Sequence, residues 1–356
     1  MRSYLDEVDF EAIKERFDAF WDREVLDRPL IYITAPRERR RVRNSLRVPK
    51  RMEDRWTSLD YVLSKVESHL EGTLFLGDAI PWYLPNLGPD SFSAFLGANL
   101  VFKSEETSWA EPFMDDLSGY EPRLDEENRW WRLMRRLVEA VCEVAEGRFL
   151  VGIPDIHYGG DSLVATAGVQ NLVRHLFLKP DEVKRLLRKL TDICIEVFEA
   201  YYGIISKVQE GSITWIPAYS RGRYFALQDD FSGLVSPQMF REFFLKEVES
   251  LSRHLDNSIY HLDGPMALGN LDILLEVDSL DGIQWVPGAG AEPMSMWIDV
   301  CSRILESGKC LQISCRPDEV KFLLSRLKHE GLFLRTHCNS EREARNVMKV
   351  VEQYGR

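Results

Sequence analysis

The chain has 356 residues, of which 45% are apolar and 29% are charged, so it can bury a substantial core. Its formal net charge of −12 argues against a nucleic-acid groove or an anionic membrane surface as its main partner. Met1–Trp21 is charged throughout and lacks the apolar segment of a signal peptide, and no run approaches the roughly 18 apolar residues of a membrane helix.

The first 147 residues predict helices around an irregular excursion. Apolar residues at helical spacing predict helices over Val8–Arg23, Leu59–Leu70 and Trp130–Glu146. Between them, Pro29–Pro36 predicts the first strand, closed by proline. The run Arg37–Arg51 holds eight Lys or Arg residues and predicts either a solvated loop or an anion-binding lip. Prolines and glycines interrupt Phe75–Phe113, which predicts an irregular insertion.

From residue 148 onward, strands and helices alternate. Strands are predicted over Phe149–Pro154, Ser212–Ala218, Ser258–Leu262, Gly282–Val286, Cys310–Ser314 and Leu332–Thr336. Helices are predicted over Pro180–Lys207, from Ser236-Pro237 onward, and over Met294–Glu306, Pro317–Lys328 and Ser340–Tyr354. This alternation is typical of βαβ units and a parallel sheet.

The strand count favours one α/β domain over residues 1–356, a (β/α)8 TIM barrel. Residues 1–147 would supply an N-terminal helical extension, the first strands and an irregular insertion over the barrel mouth, and residues 148–356 the regular repeats. A doubly wound open sheet is the alternative, although no G-x-G-x-x-G follows a strand.

Polar residues follow several predicted strands, where the loops of such a barrel carry catalytic groups. We predict catalytic roles for Asp230, His157 and Tyr158. We predict substrate contacts for Trp109, Asp155, Tyr219, Trp285 and Glu292. Each has a structural alternative: His157 could bond a backbone carbonyl, Asp230 could cap a turn, and Glu292 could be a first-turn acid.

Three residues form a candidate metal site. Side chains alternate along a strand, so His261 and Asp263 point to the same face. Cys338 precedes Asn339-Ser340, a good N-cap, and a thiol at a helix N-terminus has a lowered pKa. If the strands deliver all three to one mouth, imidazole, carboxylate and thiolate with an open fourth position describe a catalytic zinc site. His337 is a competing ligand.

The other five cysteines show no C-x-x-C spacing and no dense disulfide framework. Most are predicted to be small buried apolar groups. A reduced, cytoplasmic protein is the simplest interpretation.

Several segments resemble the uroporphyrinogen decarboxylase superfamily. They are Asp229-Asp230, Leu234–Phe243, Tyr260–Gly264, Gln284–Gly290, Gly308-Lys309 and Leu334–Asn339. The resemblance covers roughly residues 148–355 and implies a (β/α)8 barrel. The superfamily includes the haem-pathway decarboxylase and the zinc-dependent methyltransferases that work with corrinoid proteins.

The resemblance is nearer to the methyltransferase branch. The R-Q-A-G-R stretch of the decarboxylase is absent at Thr34–Glu38. The methyltransferase zinc ligands H-x-C…C match His261 and Cys338, with Asp263 in place of the first cysteine. That substitution makes the site harder and suits a hydroxyl or ether oxygen on the substrate.

The resemblance therefore implies a metal-dependent methyltransferase or demethylase. It would move a methyl group between a small molecule and a corrinoid protein, or another thiol or heteroatom acceptor, with Zn²⁺ as a Lewis acid. A metal-free decarboxylase or lyase, with Asp230 and His261 as acid and base, stays open, as does a non-catalytic small-molecule-binding barrel. The sequence decides neither the substrate nor whether two copies form a homodimer.

Overall fold

The computed structural model describes residues 2–38, 47–288 and 290–355. Most of the basic run Arg37–Arg51 lies outside these residues, so its interpretation as a loop or an anion-binding lip stays a prediction. No helix within the described ranges combines the length and apolarity needed to cross a membrane.

The secondary structure alternates along most of the chain. The strands are β1 (Leu30–Pro36), β2 (Thr73–Gly77), β3 (Trp82–Tyr83), β4 (Asn99–Phe102), β5 (Ser108–Glu111), β6 (Leu150–Val151), β7 (Ser212–Ile213), β8 (Tyr219–Ser220), β9 (Tyr224–Leu227), β10 (Asn257–Asp263), β11 (Gly282–Val286), β12 (Cys310–Ser314) and β13 (Leu332–His337). The α-helices are α1 (Phe10–Trp21), α2 (Met52–Thr57), α3 (Leu59–Gly72), α4 (Ser91–Phe95), α5 (Arg129–Ala145), α6 (Gly159–Ala167), α7 (Val169–Leu178), α8 (Pro180–Ile205), α9 (Pro237–Met239), α10 (Leu245–His254), α11 (Gly264–Ala267), α12 (Leu271–Leu275), α13 (Ile298–Glu306), α14 (Val320–Arg326) and α15 (Glu341–Glu352).

The chain is an α/β protein with a mainly parallel central sheet. Seven strands pair in the order β2-β1-β13-β12-β11-β10-β9, and every neighbouring pair is parallel except β1 with β2. Shorter pairs join β3 to β6, β4 to β5 and β7 to β8. The antiparallel β2 was not predicted because it begins directly after Gly72, the last residue of α3, with no turn between the two elements.

Several helices begin where their caps were expected. The Ser340 hydroxyl accepts from the backbone N–H of Glu343 at the start of α15, and Ser236 does the same for Met239 before α9. Helix α8 begins at Pro180, which lacks the backbone donor that a first helical turn leaves unused. These local signals explain why the later elements follow the predicted boundaries.

The alternation of side chains gives the central strands two distinct faces. His261, Gln284 and Gln312 occupy matching register positions on β10, β11 and β12. The Gln284 side chain hydrogen-bonds to both of the others, so all three lie on one face. Trp285 points to the opposite face, where its ring lies 5.1 Å from that of Trp297 in the helical layer. We call the Gln284 side the inner face.

Helix α1 covers the N-terminal end of this inner face. Phe17 and Phe20 pack edge-on against Phe333, at centroid distances of 5.3 and 5.9 Å. Phe333 pairs with Leu30 at the start of β1. Helix α1 therefore packs over the N-terminal ends of β1 and β13 on the inner face.

Candidate functional site

Two groups of potential ligands lie at the C-terminal ends of the strands. One consists of His157, Asp161 and Asp230, and the other of Asp230, His261 and Asp263. Within each group the ligand atoms all lie within 4.8 Å of one another. Asp230 belongs to both groups, so the two form one continuous site.

Strand β10 supplies two members of this site. His261 and Asp263 are two residues apart and therefore lie on the same face of the strand. His261 is half-buried, whereas Asp263 is exposed at the last position of β10. Gly264 follows with φ of +77°, a conformation that glycine adopts without strain, and turns the chain into α11.

The imidazole of His261 is oriented by a chain of amides. Its Nδ1 lies 2.5 Å from Oε1 of Gln284, and because that oxygen can only accept, Nδ1 carries the proton. The Gln284 amide nitrogen in turn donates to Oε1 of Gln312. Nε2 of His261 therefore keeps a free lone pair, as a metal-binding histidine requires. Trp215 fixes the ring from the side, edge-on at 5.0 Å.

Asp230 is held by its backbone and not by its carboxylate. Asp161, in the first turn of α6, accepts hydrogen bonds from the backbone N–H groups of Asp230 and Phe231, each at 2.9 Å. The neighbouring Asp229 accepts from the N–H of Gly160 at 3.0 Å. These bonds tie the loop after β9 to α6 and leave the exposed Asp230 side chain free for the site.

His157 is a cation in this setting. Its Nε2 lies 2.9 Å from Oδ2 of Asp155, whose other oxygen accepts from Nε2 of Gln228. Burial lowers the pKa of His157, but the carboxylates of Asp155, Asp161 and Asp230 outweigh burial and raise that pKa to about 10. A protonated imidazole has no lone pair for a metal, so His157 is a proton donor and counter-charge.

The pKa of Asp161 is also raised, but by a different cause. Burial raises the pKa of its carboxyl group to about 6, although the charge of His157 opposes this rise. His157 and Asp161 therefore form the acid–base part of the site. The group of Asp230, His261 and Asp263 is the part that can hold a metal.

The charge of His157 predicts a pH-dependent stability. Its folded pKa of about 10 lies above the ordinary value of 6.5, so its contribution is complete below pH 6.5 and is lost as pH rises through about 10. We expect the unfolding free energies of wild type and His157→Gln to converge between pH 7 and pH 10. Urea unfolding across this range measures the difference, and a constant offset between the two proteins would contradict the assignment.

A second, fully buried set of acids lies behind the site. Burial raises the pKa values of Asp229 and Glu247 well above their ordinary range. Neither Glu247 oxygen has a hydrogen-bond partner among the described residues, and the same holds for the Tyr158 hydroxyl. Tyr158 is 1% exposed, and burial raises its pKa well above the ordinary value. It therefore lies beneath the site and not in either ligand group.

Gly160 allows Asp229 to approach the backbone closely. A Cβ atom at this position would lie 2.8 Å from Asp229 Oδ1 and 3.0 Å from a ring carbon of Phe231. We expect Gly160→Ala to destabilise the protein by about 1–3 kcal/mol through overpacking. The matched control is Gly203→Ala in α8, where nothing lies within 4 Å and the exchange should stabilise by about 0.5–1 kcal/mol. Thermal unfolding measures both, and a neutral Gly160→Ala would contradict the close approach.

Five residues predicted to contact substrate or ligate metal lie on other surfaces or in the core. Trp109 stands on the β4–β5 hairpin, 37% exposed, with Lys103 Nζ 4.3 Å from its ring centroid. Trp285 faces the helical layer because it is one residue out of phase with Gln284. Glu292 is exposed in the loop before Pro293. The other two are Tyr219 and Cys338.

Tyr219 belongs to the opposite end of the molecule. Its ring lies 5.6 Å from that of Phe10 in α1, and its hydroxyl donates to the backbone carbonyl of Glu210 at 3.1 Å. The indole N–H of Trp21 donates to its carbonyl at 2.8 Å. These contacts tie Tyr219 to the α1 end of the sheet and away from the ligand groups.

The structure does not bring Cys338 to His261 and Asp263. The alternation along β13 places Arg335 and His337 on the inner face, and Cys338 falls on the same side as Thr336. The thiol is fully buried, and burial together with Glu343 raises its pKa to about 11, opposite to the lowering expected at a helix N-terminus. Asp230 takes the place predicted for Cys338 as the third residue of the group.

Two residues of the site were missed in the sequence. Asp161 lies in the polar turn that also contains Asp155 and His157, and its closeness to them in the sequence could have marked it as a site residue. Gln284 stands at the β11 position that pairs with His261. Aligning the two predicted strands could have found Gln284, because a side-chain amide directly opposite an inward-facing imidazole can hydrogen-bond to it.

Comparisons with known proteins find similarity in structure but none in sequence. No family model and no curated protein matches the sequence. The fold is similar to that of a solved methyltransferase from Methanosarcina mazei, with a TM-score of 0.60 and 13% sequence identity. The similarity covers 96% of this chain and 98% of that chain. At this identity it shows a shared fold along nearly the whole chain.

Proposed function

We propose that this protein is a metal-dependent methyltransferase in which Asp230, His261 and Asp263 hold a divalent cation. The observation that carries the proposal is the convergence of their ligand atoms within 4.8 Å, with Nε2 of His261 freed by its bond to Gln284. Two carboxylates and one imidazole suit Zn²⁺, and three protein ligands leave a position open for substrate. The fold shared with a protein named as a methyltransferase supports the reaction class.

The surroundings favour a methyl donor that carries the methyl group on oxygen or nitrogen. A cation held here would act as a Lewis acid and polarise the bond between the methyl group and its heteroatom. Asp230 and Asp263 supply hard oxygen donors, which match an ether oxygen better than a thiolate. His157, protonated beside Asp230, is placed to give a proton to the heteroatom as the methyl group departs.

The proposal includes a closed barrel, a single domain and a corrinoid protein as methyl acceptor. Backbone hydrogen bonds from Leu150 to Pro81, from Gly152 to Tyr83 and from Ile153 to Ile213 support closure, because they bridge the segments between β1 and β9. Asp230 and Asp263 are both exposed, so a partner protein can approach the site directly. We further propose a cytoplasmic location.

Methyl transfer can be tested in the reverse direction, from a methylated corrinoid to a small molecule, without knowing the natural donor. Zinc-loaded protein is mixed with methylcobalamin and, in turn, a phenol, an amine and a thiol, and loss of the methylcobalamin absorbance is followed. We expect zinc-dependent transfer to the phenol or the amine, abolished by a chelator and restored by zinc. Rates equal to those of chelator-treated protein for every acceptor would contradict the proposal.

A metal-free lyase is the second candidate, and one observation favours it. The His157–Asp155 pair is a charged acid that needs no cation. In that case the carbon–carbon bond to a substrate carboxylate would break with release of CO2, and His157 would protonate the carbon that keeps the electron pair. This reading predicts that the purified protein binds no zinc and that any activity survives a chelator.

A further inference from the structure

A cavity of about 550 Å³ opens at the C-terminal ends of β1 and β13, and neither ligand group lines it. Its inner wall consists of Tyr32 and Thr34 from β1 and Arg335 and His337 from β13. Helices α2 and α3, strands β2 and β3, the segment after β3 and the loop between β4 and β5 supply the rest of the lining. This volume is in the range of sites that enclose small organic molecules.

The charge of Arg335 has no partner in this cavity. Its side chain is half-buried and forms no ion pair or side-chain hydrogen bond with any residue in the described ranges. Its guanidinium carbon lies 5.8 Å from the centre of the Tyr32 ring. A partly desolvated guanidinium without a carboxylate is costly, so the position favours an anion from outside the chain.

Arg55 lines the same cavity but, unlike Arg335, is paired with a carboxylate. Its guanidinium lies 2.6 Å from Glu105 and is already neutralised by that carboxylate. Glu105 and Glu106 are both exposed at the outer part of the lining. Lys65 also lines the cavity, with its Nζ 5.9 and 5.8 Å from the Trp56 and Tyr61 ring centroids, so Arg335 is the cation of the inner wall.

Tyr32 offers a second donor beside Arg335. The Tyr32 ring is 3% exposed, and its hydroxyl oxygen accepts from the indole N–H of Trp82 at 2.9 Å. Burial raises the pKa of Tyr32 to about 12, so the hydroxyl keeps its proton and can donate it. Because Trp82 occupies one lone pair, the proton is available to a ligand.

Aromatic side chains form much of the remaining wall. Phe75, Trp82 and Tyr83 line the cavity together with His69. Burial lowers the pKa of His69, so this ring is neutral near pH 7. Flat apolar walls beside the guanidinium of Arg335 match a ligand with a flat apolar body and one anionic group.

We propose that this cavity binds an aromatic molecule carrying a carboxylate or phosphate, with the oxyanion held by the Arg335 guanidinium and the Tyr32 hydroxyl. This inference goes beyond methyl transfer and does not depend on a cation at Asp230, His261 and Asp263. A carboxylate and a phosphate share the chemistry that a guanidinium recognises bidentately. Titration with one carboxylate and one phosphate compound distinguishes the two kinds of ligand.

The test compares benzoate, phenyl phosphate and benzyl alcohol by ligand-observed NMR titration of the full chain. We expect at least one of the two anions to bind 10-fold or more tightly than benzyl alcohol, and the tighter anion identifies the ligand class. Arg335→Gln should remove this preference, and Tyr32→Phe should weaken it severalfold. Arg335→Lys, which keeps the charge but not the planar fork, should give an intermediate loss.

Arg55→Gln is the matched control, because it removes an arginine from the same cavity whose charge is already paired. We expect it to leave anion affinity within about 2-fold of wild type. Equal binding of all three probes, no binding of either anion at millimolar concentration, or unchanged affinity in a folded Arg335→Gln or Arg335→Lys would overturn the proposal. None of these results bears on zinc binding, so the two proposals fail separately.

Discussion

Replacing His261 by alanine is expected to weaken zinc binding by roughly 100-fold. A four-ligand zinc site in a small domain is worth about 12 kcal/mol, so one of four ligands contributes about 3 kcal/mol, or roughly two orders of magnitude. His261 is only half-buried at the end of β10, so the variant should remain folded. Competition with a chromophoric chelator measures the affinity, and thermal unfolding checks the fold.

Two further variants test whether this loss of zinc affinity is specific to His261. Gln284→Leu removes the acceptor that orients Nδ1 of His261 and should cost about 10- to 100-fold in zinc affinity. His337→Ala is the matched control, since His337 also ends an inner-face strand but belongs to neither ligand group, and its Nδ1 lies 3.0 Å from the Thr34 hydroxyl. Zinc affinity that falls as far in His337→Ala as in His261→Ala would show that the ligands have been wrongly assigned.

Asp230→Asn is expected to affect both halves of the site at once. The change keeps the size of the side chain and leaves untouched the backbone bonds that Asp161 makes, but it removes the carboxylate shared by the two ligand groups. Zinc affinity should fall by roughly 100-fold, as for His261→Ala. The pKa of His157 should also fall, because Asp230 is one of the three carboxylates that raise it. NMR titration of the imidazole measures the second effect.

Asp263→Asn and Cys338→Ser separate these effects. Asp263 belongs to the metal-binding group alone, so its variant should lose zinc while the His157 titration stays unchanged. Cys338 belongs to neither group, so Cys338→Ser should keep wild-type zinc affinity. If the pKa of His157 does not change in Asp230→Asn, the two ligand groups do not form one continuous site.

The sequence was most informative where local patterns determine local structure. The boundaries of β11 and β12 match the predicted strands residue for residue, because each is a short apolar run bounded by turn residues. The pairing of His261 with Asp263 on one face follows from alternation along a single strand. The caps at Ser236 and Ser340 follow from hydrogen bonds within four residues. None of these inferences needed a long-range contact.

Some residues were wrongly placed in the site or missed, because their positions depend on the phase of a strand or on contacts between distant segments. Cys338 and Trp285 each lie one residue out of phase with an inward neighbour, and a strand end gives no sign of which residues face inward. Tyr219 lies in a hairpin of two-residue strands, too short to leave a pattern. The contact of Asp161 with the backbone of Asp230 joins residues 69 positions apart, and nothing local encodes it.

X-ray absorption at the zinc edge of the zinc-loaded protein tests the central claim most directly. If Asp230, His261 and Asp263 hold the cation, the first shell contains only nitrogen and oxygen, at about 2.0–2.2 Å. A sulfur neighbour at about 2.3 Å would place Cys338 on the metal and contradict the site described above. Protein that retains no zinc after loading would contradict it as well.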